Sequence, residues 1–132
     1  ELMPRARIYF LVDTLEFLRR GGRIGGAQAL MGTLLQVKPI LTFREGKVDQ
    51  FERERTKKKA IARIHEIILA EAARGEAAHI SVMHAGVPDE ARELAQSLKR
   101  DLDAPDVMVM DLVPAIITHA GPGTLAFGFF TP

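Results

Sequence analysis

Apolar positions along the chain fall into short blocks whose period switches between two and three-to-four. The run "RIYFLVDT" (7–14) is apolar and rich in β-formers, and predicts a strand. "LEFLRR" (15–20) predicts a helical turn or two, stopped at Gly21 and Gly22. In "AQALMGTLLQ" (27–36) the apolar positions 27, 30, 31, 34 and 35 have the spacing of one helix face. "VKPILTF-REGK-VDQFERER" predicts a β-hairpin with Gly46 in its turn, where a positive φ brings no Cβ clash. Pro39 removes one ladder donor, which puts its strand at an edge or beside a local interruption. The second arm is strongly polar, as suits a solvent-facing edge.

Thr56 is placed to cap the helix "KKKAIARIHEIILAEAARG" (57–75), with Ile61, Ile64, Ile67, Ile68 and Ala72 as its buried stripe and Gly75 at its end. "AHISVMHA" (78–85) predicts a strand. Pro88 opens a second amphipathic helix that turns Ala91, Leu94, Ala95 and Leu98 inward. "DVMVMDL" (106–112) and "TLAFGFFT" (124–131) predict two more strands, with a loop or short helix around His119 between them. The order implies an α/β fold, a mixed sheet of about five or six strands with helices packed on it. No internal repeat, linker or low-complexity stretch interrupts it.

The length of 132 residues fits one domain, 1–132. A chain of this size buries roughly 65–70% of its unfolded surface, enough for a proper core. The net charge is +1, so no global field draws in nucleic acid or anionic lipid. The cluster "ERERTKKK" brings only Phe51 beside it, and nucleic-acid binding wants basic residues interleaved with aromatics. The absence of cysteine removes disulfides, thiolate catalysis and zinc–sulfur sites. The longest apolar candidate, "VMVMDLVPAIITHA", is broken by Asp111 and Pro114, so no integral membrane segment is expected. No signal-peptide pattern opens the chain. It begins at Glu1 rather than at methionine, which fits a piece of something longer.

"GGRIGG" (21–26) matches neither nucleotide-binding glycine fingerprint. Two readings of it are open: a helix stop with close backbone packing, or a turn that aims Arg23 at an anion. His79 and His84 point to opposite faces of their strand and share no metal, and no His/Asp/Glu spacing reads as a metal site. His65 lies near the polar border of its helix, and all three of these histidines read first as structural. Ser81 and Ser97 lack a nucleophile-elbow context. His119 differs in setting, because Gly121, Pro122 and Gly123 impose a fixed path beside Thr118. A neutral imidazole donates one hydrogen bond and accepts another, and a carboxylate nearby favours the charged ring. His119 therefore suits an acidic head group, or equally caps a helix end or satisfies a loop carbonyl.

Three stretches, in order, resemble the DegV family of bacterial fatty-acid-binding proteins: "DTLEFLRRGGRIGGAQALMGTLLQVKPIL" (13–41), "GKVDQFERERTKKKA" (46–60) and "ITHAGPGTLAFGFF" (117–130). The family pattern they match is a Leu-Tyr/Phe-Leu helix, a Gly-Gly-Arg-Ile turn, a Lys-Pro-Ile-Leu strand and a His-x-Gly-Pro-Gly close. The resemblance implies the carboxy-terminal domain of a cytoplasmic two-domain protein roughly twice this length. The absent amino-terminal domain would carry Ser and Thr groups for the lipid carboxylate. It implies that a long-chain fatty acid lies between the domains, as ligand and not cofactor, with none of the chemistry performed by this protein. His119, with Thr118, Gly121 and Gly123, would join the network around the carboxylate. Gly22 and Arg23 would serve a partner fatty acid kinase that phosphorylates the bound lipid, feeding phospholipid metabolism.

Burying each methylene is worth roughly 0.8 kcal/mol, so apolar walls alone hold a long tail, and Ile24, Leu34 and Phe127 are candidate walls. These side chains are equally well explained as core. Two rival functions stand beside the lipid reading. One is an enzyme on a small acid or phosphate ester, with His119 as base and Arg23 as anion clamp. The other is a ligand-free interaction domain. An isolated domain with an uncovered apolar face also invites self-association.

Overall fold

The computed structural model describes residues 6–32, 36–44 and 47–132. Six strands form one mixed sheet: β1 (Ala6–Leu11), β2 (Lys38–Arg44), β3 (Lys47–Glu54), β4 (Ile80–His84), β5 (Met108–Asp111) and β6 (Leu125–Phe130). Their order across the sheet is β3-β2-β1-β6-β4-β5. β6 runs antiparallel to both β1 and β4, while β4 and β5 are parallel. Helix α3 (Pro88–Asp101) makes the crossover that a parallel pair requires.

One face of the sheet is covered by α2 (Lys57–Glu71) and α3. Thr56 caps α2 by accepting a hydrogen bond from the Lys59 N–H at 3.1 Å. The buried stripe Ala60, Ile64, Ile67 and Ile68 meets Ala91, Ala95 and Leu98 of α3. Beneath them lie Tyr9, Val82, Leu125, Phe127 and Phe129, whose alternate spacing puts them on that face. Asp89 and Glu90 in the first turn of α3, and Lys99 and Arg100 in its last, complement the helix dipole. His65 and Asp101 join the two helices at 2.8 Å.

The other face is only partly covered. Helix α1 (Glu16–Arg20), a 3-10 segment Gly25–Leu30 and helix α4 (Pro114–Ala120) shelter Phe10, Leu41 and Ala126, with Leu15, Leu18, Ile24, Ala27 and Leu30 completing this smaller core.

Two expectations need correction. The helix expected over 27–36 is replaced by the 3-10 segment, because Gly25 sits against Val48 with φ +50 and Gly26 against Asp49, pinning the backbone to β3. Gly32 at φ +85 then turns the chain, and Leu34, Leu35 and the hairpin residue Gly46 lie outside the described residues. Of the two settings expected for Pro39 the structure has the second: β2 lies between β1 and β3, and Pro39 stands just before a shift of register between Ile40 and Leu41, the local interruption. Helix α2 ends at Glu71, ahead of Gly75, which opens a short 3-10 turn instead.

Candidate functional site

An apolar cavity of about 240 Å³ opens on the partly covered face, under α1 and α4. Phe10 and Ala126 form its floor, Leu18, Met83 and Ile116 its sides, and Arg23, His119 and Thr124 are its polar members. The strand period dictates the floor: Phe10 and Ala126 are cross-strand partners and share a face.

His119 stands in the last turn of α4. Its ring also lines an outer groove with Phe17, Arg20, Gly21, Ile117 and Thr118, so it forms a wall common to the inner cavity and an open groove at the surface. The His119 Nδ1 is buried and has no hydrogen-bond partner among the described residues. A buried polar atom without a partner is costly, which marks the ring as the group at this site with a hydrogen bond to gain.

The corner that carries His119 is held from several sides. Gly121, at φ +93, ends α4 with its N–H donating to the Ile117 carbonyl at 2.7 Å. The buried Thr124 hydroxyl donates to the Gly121 carbonyl at 2.7 Å, with the Ala120 carbonyl at 3.3 Å. The Gly123 N–H donates to the Ala85 carbonyl at 2.8 Å, tying the corner to the end of β4. Gly121 and Gly123 leave no room for a side chain, since Phe17 covers the first and the Asp13 carboxylate the second. Gly21 does the same for the ring itself: a Cβ there would stand 2.1 Å from His119 Nδ1.

The candidate residues thus separate. The structure brings His119 and Arg23 to one cavity. Arg23 is exposed, and its guanidinium donates to the Gly21 carbonyl at 3.4 Å. Gly22, at φ +71, faces open space beside it. Thr118 is exposed in the outer groove, and its hydroxyl donates to the Pro114 carbonyl at 3.0 Å. Ile24 belongs to the small core beneath the site. Phe127 as a wall is corrected: it is 2% exposed and packs with the α2 and α3 helices on the opposite face. Leu34 lies outside the described residues. No sequence signal marks Gly21 and Thr124 as site builders, because each acts on residues distant in sequence or through backbone carbonyls.

The other histidines have structural partners. His84, 4% exposed, accepts from the Val87 N–H at 3.2 Å through Nδ1, and its Nε2 lies 3.1 Å from Asp111. His65 holds Asp101, and this hydrogen bond lowers the Asp101 carboxyl below the usual range. Among the described residues no cluster of three or more His, Cys, Asp or Glu could hold a metal ion, and no helix is long and apolar enough to cross a membrane.

A mixed sheet bearing an apolar cavity rimmed by a histidine and an arginine defines an α/β domain with a candidate ligand site. Comparison with known proteins narrows the class. The family model described as "Uncharacterised protein, DegV family" matches residues 1–132, and the chain belongs to the DegV family. A DegV domain-containing protein of Streptomyces coelicolor is 48% identical over 118 residues, 89% of this chain and 42% of the relative. A Thermus thermophilus structure, titled as fatty acid binding of a DegV family protein, superposes with a TM-score of 0.81 at 37% identity over 98% of this chain and 46% of that one. DegV of Bacillus subtilis, titled a fatty acid binding protein, gives 0.82 at 37% identity, again over 98% and 46%. The chain therefore spans less than half the length of the proteins it matches.

Proposed function

We propose that this domain is the carboxy-terminal part of a two-domain protein that binds a long-chain fatty acid and presents its carboxylate to a partner fatty acid kinase. The observation that carries the reading is His119: a ring between an apolar cavity and an outer surface groove that holds Arg20 and Thr118, with a buried Nδ1 lacking a partner. A carboxylate at that boundary gains a hydrogen bond while its chain enters the cavity. Relatives titled as fatty acid binders support the ligand class.

In this reading the tail supplies affinity and His119 fixes the end that must be reached. Arg23, with Gly22, lies at the rim and serves the kinase. The protein itself performs no chemistry and uses no cofactor. It works in the cytoplasm. The Asp111 partner of the one buried histidine and the hydroxyl commitments of Thr118 and Thr124 give no observation that favours the enzyme reading.

The test is extraction and native mass spectrometry of the full-length protein. Wild type is expected to carry a long-chain fatty acid. His119→Ala is expected to retain at least roughly tenfold less, the loss of one hydrogen bond to a charged group, with the melting temperature of the lipid-free protein unchanged. Equal lipid content and equal kinase turnover in both proteins would remove His119 from the site.

A further inference from the structure

Gly128 sits in the interior of β6, where glycine weakens a strand and leaves nothing to pack. Among the described glycines it alone has no local reason to be glycine. The others either hold a positive φ or would drive a Cβ into a neighbour under 3.0 Å away. At Gly128 the φ is ordinary, and a Cβ would meet Met83 Cε at 3.5 Å and the Arg7 carbonyl oxygen at 4.0 Å, both ordinary contacts. The fold of this domain would accept a side chain, so the open space serves something that lies over the strand.

The register shows what shape that space has. Across the partly covered face, Phe10, Ala126, Met83 and Met110 form one row, and Ile8, Gly128, Ser81 and Met108 the next. The β6 residues are the small ones, with larger side chains on β1, so Thr124, Ala126 and Gly128 floor a trough along the strand. From Thr124 to Gly128 it runs about 13 Å at the usual strand rise. On the opposite face the same strand carries Leu125, Phe127 and Phe129, so the smallness is confined to one side.

The trough continues the cavity at His119. Ile8 and Met83 line both that cavity and an open groove of about 670 Å³ around Gly128. The inner cavity, about 240 Å³, falls below the usual size of a pocket for a drug-sized ligand. A long chain that starts at His119 must therefore leave it, and the trough is its apolar continuation. Met83, Met108 and Met110 beside the path supply flexible, polarisable wall that adapts to different guests.

We propose that the acyl chain passes between Ile8 and Met83 and runs along β6 over Ala126 and Gly128, and that Gly128 limits the chain length the protein accepts. The inference rests on the fatty-acid reading above and adds the path and its gauge.

The experiment offers full-length wild type, Gly128→Ala and Gly128→Leu an equimolar series of straight-chain acids from lauric to stearic. The bound pool is quantified by mass spectrometry, with melting temperatures recorded. Gly128→Leu is expected to lower the stearic-to-lauric ratio at least roughly tenfold, the effect of displacing about two buried methylenes. Gly128→Ala, whose Cβ fits, is expected to keep the wild-type melting temperature and shift the ratio less, in the same direction. An unchanged length profile in both variants, with wild type still loaded, would overturn the path and leave the fatty-acid reading standing. So would a loss equal at every length, which would make Gly128 a packing contact for another part of the protein. A wild type that takes none of the acids would overturn the fatty-acid reading itself.

Discussion

Placing a methyl group at Gly21 isolates the steric role of that position. Its backbone lies at φ −81 and ψ 0, a conformation alanine adopts without strain, so Gly21→Ala is a side-chain experiment alone. The added Cβ would stand 2.1 Å from His119 Nδ1, 2.9 Å from Cε1 and 3.3 Å from Cγ. Normal contact is about 3.5 Å, so the ring must withdraw by about 1.4 Å (3.5 less 2.1). A hydrogen bond does not survive such a shift, and one made to a charged group is worth about 1.5–3 kcal/mol. The expected outcome is a Kd for fatty acid raised roughly tenfold to 150-fold, read by displacement of a fluorescent fatty acid from the full-length protein. The melting temperature is expected to hold, because alanine ends a helix with less entropy cost than glycine. A double-mutant cycle decides the mechanism: in a His119→Ala background, Gly21→Ala should cost nothing further. An undiminished loss in that background, or no loss in wild type, would refute the argument that Gly21 acts by making room for the ring.

Two further outcomes follow from the same geometry. Thr124→Val keeps the shape but leaves the Gly121 carbonyl without its 2.7 Å partner in a buried place, which should lower stability by about 1–3 kcal/mol in urea titrations and weaken fatty-acid binding alongside; a change in neither would mean the corner is held without it. The Asp101 carboxyl is held below its usual range, chiefly by the His65 hydrogen bond, so its stabilisation is present above the unfolded aspartate pKa and lost as pH falls through the folded one. His65→Ala should therefore flatten the acid side of the stability profile, and identical profiles in urea melts across that acid range would count against it.

Much of the framework is legible in the residues. Thr56 and the Ile64, Ile67, Ile68 stripe announce α2, and Pro88 with Ala91, Ala95 and Leu98 announces α3, because caps and helical period are local signals. The stretch after Gly25 misleads for a physical reason. Apolar residues at 27, 30 and 31 suit a 3-10 turn as well as an α-helix, and only the contacts of Gly25 and Gly26 with β3 choose between them. Phe127 shows the limit on the site. Its alternation with Leu125 and Phe129 reveals that the three share a face, but not that the two long helices cover that face. His119 stood out because Gly-Pro-Gly is a local stiffening signal. Gly21 did not, since its reason lies on a helix at the far end of the chain, and no period or motif links the two. Gly128 was visible as a glycine within a strand, and its meaning needed the register of both neighbouring strands.

The most direct measurement is a structure of the full-length protein with a bound long-chain fatty acid. The account expects the carboxylate within hydrogen-bonding distance of the His119 imidazole, where Nδ1 now lacks a partner, and the tail entering over Phe10 and Ala126. A carboxylate bound elsewhere, with the His119 ring still turned into Gly21 and touching no part of the lipid, would contradict it.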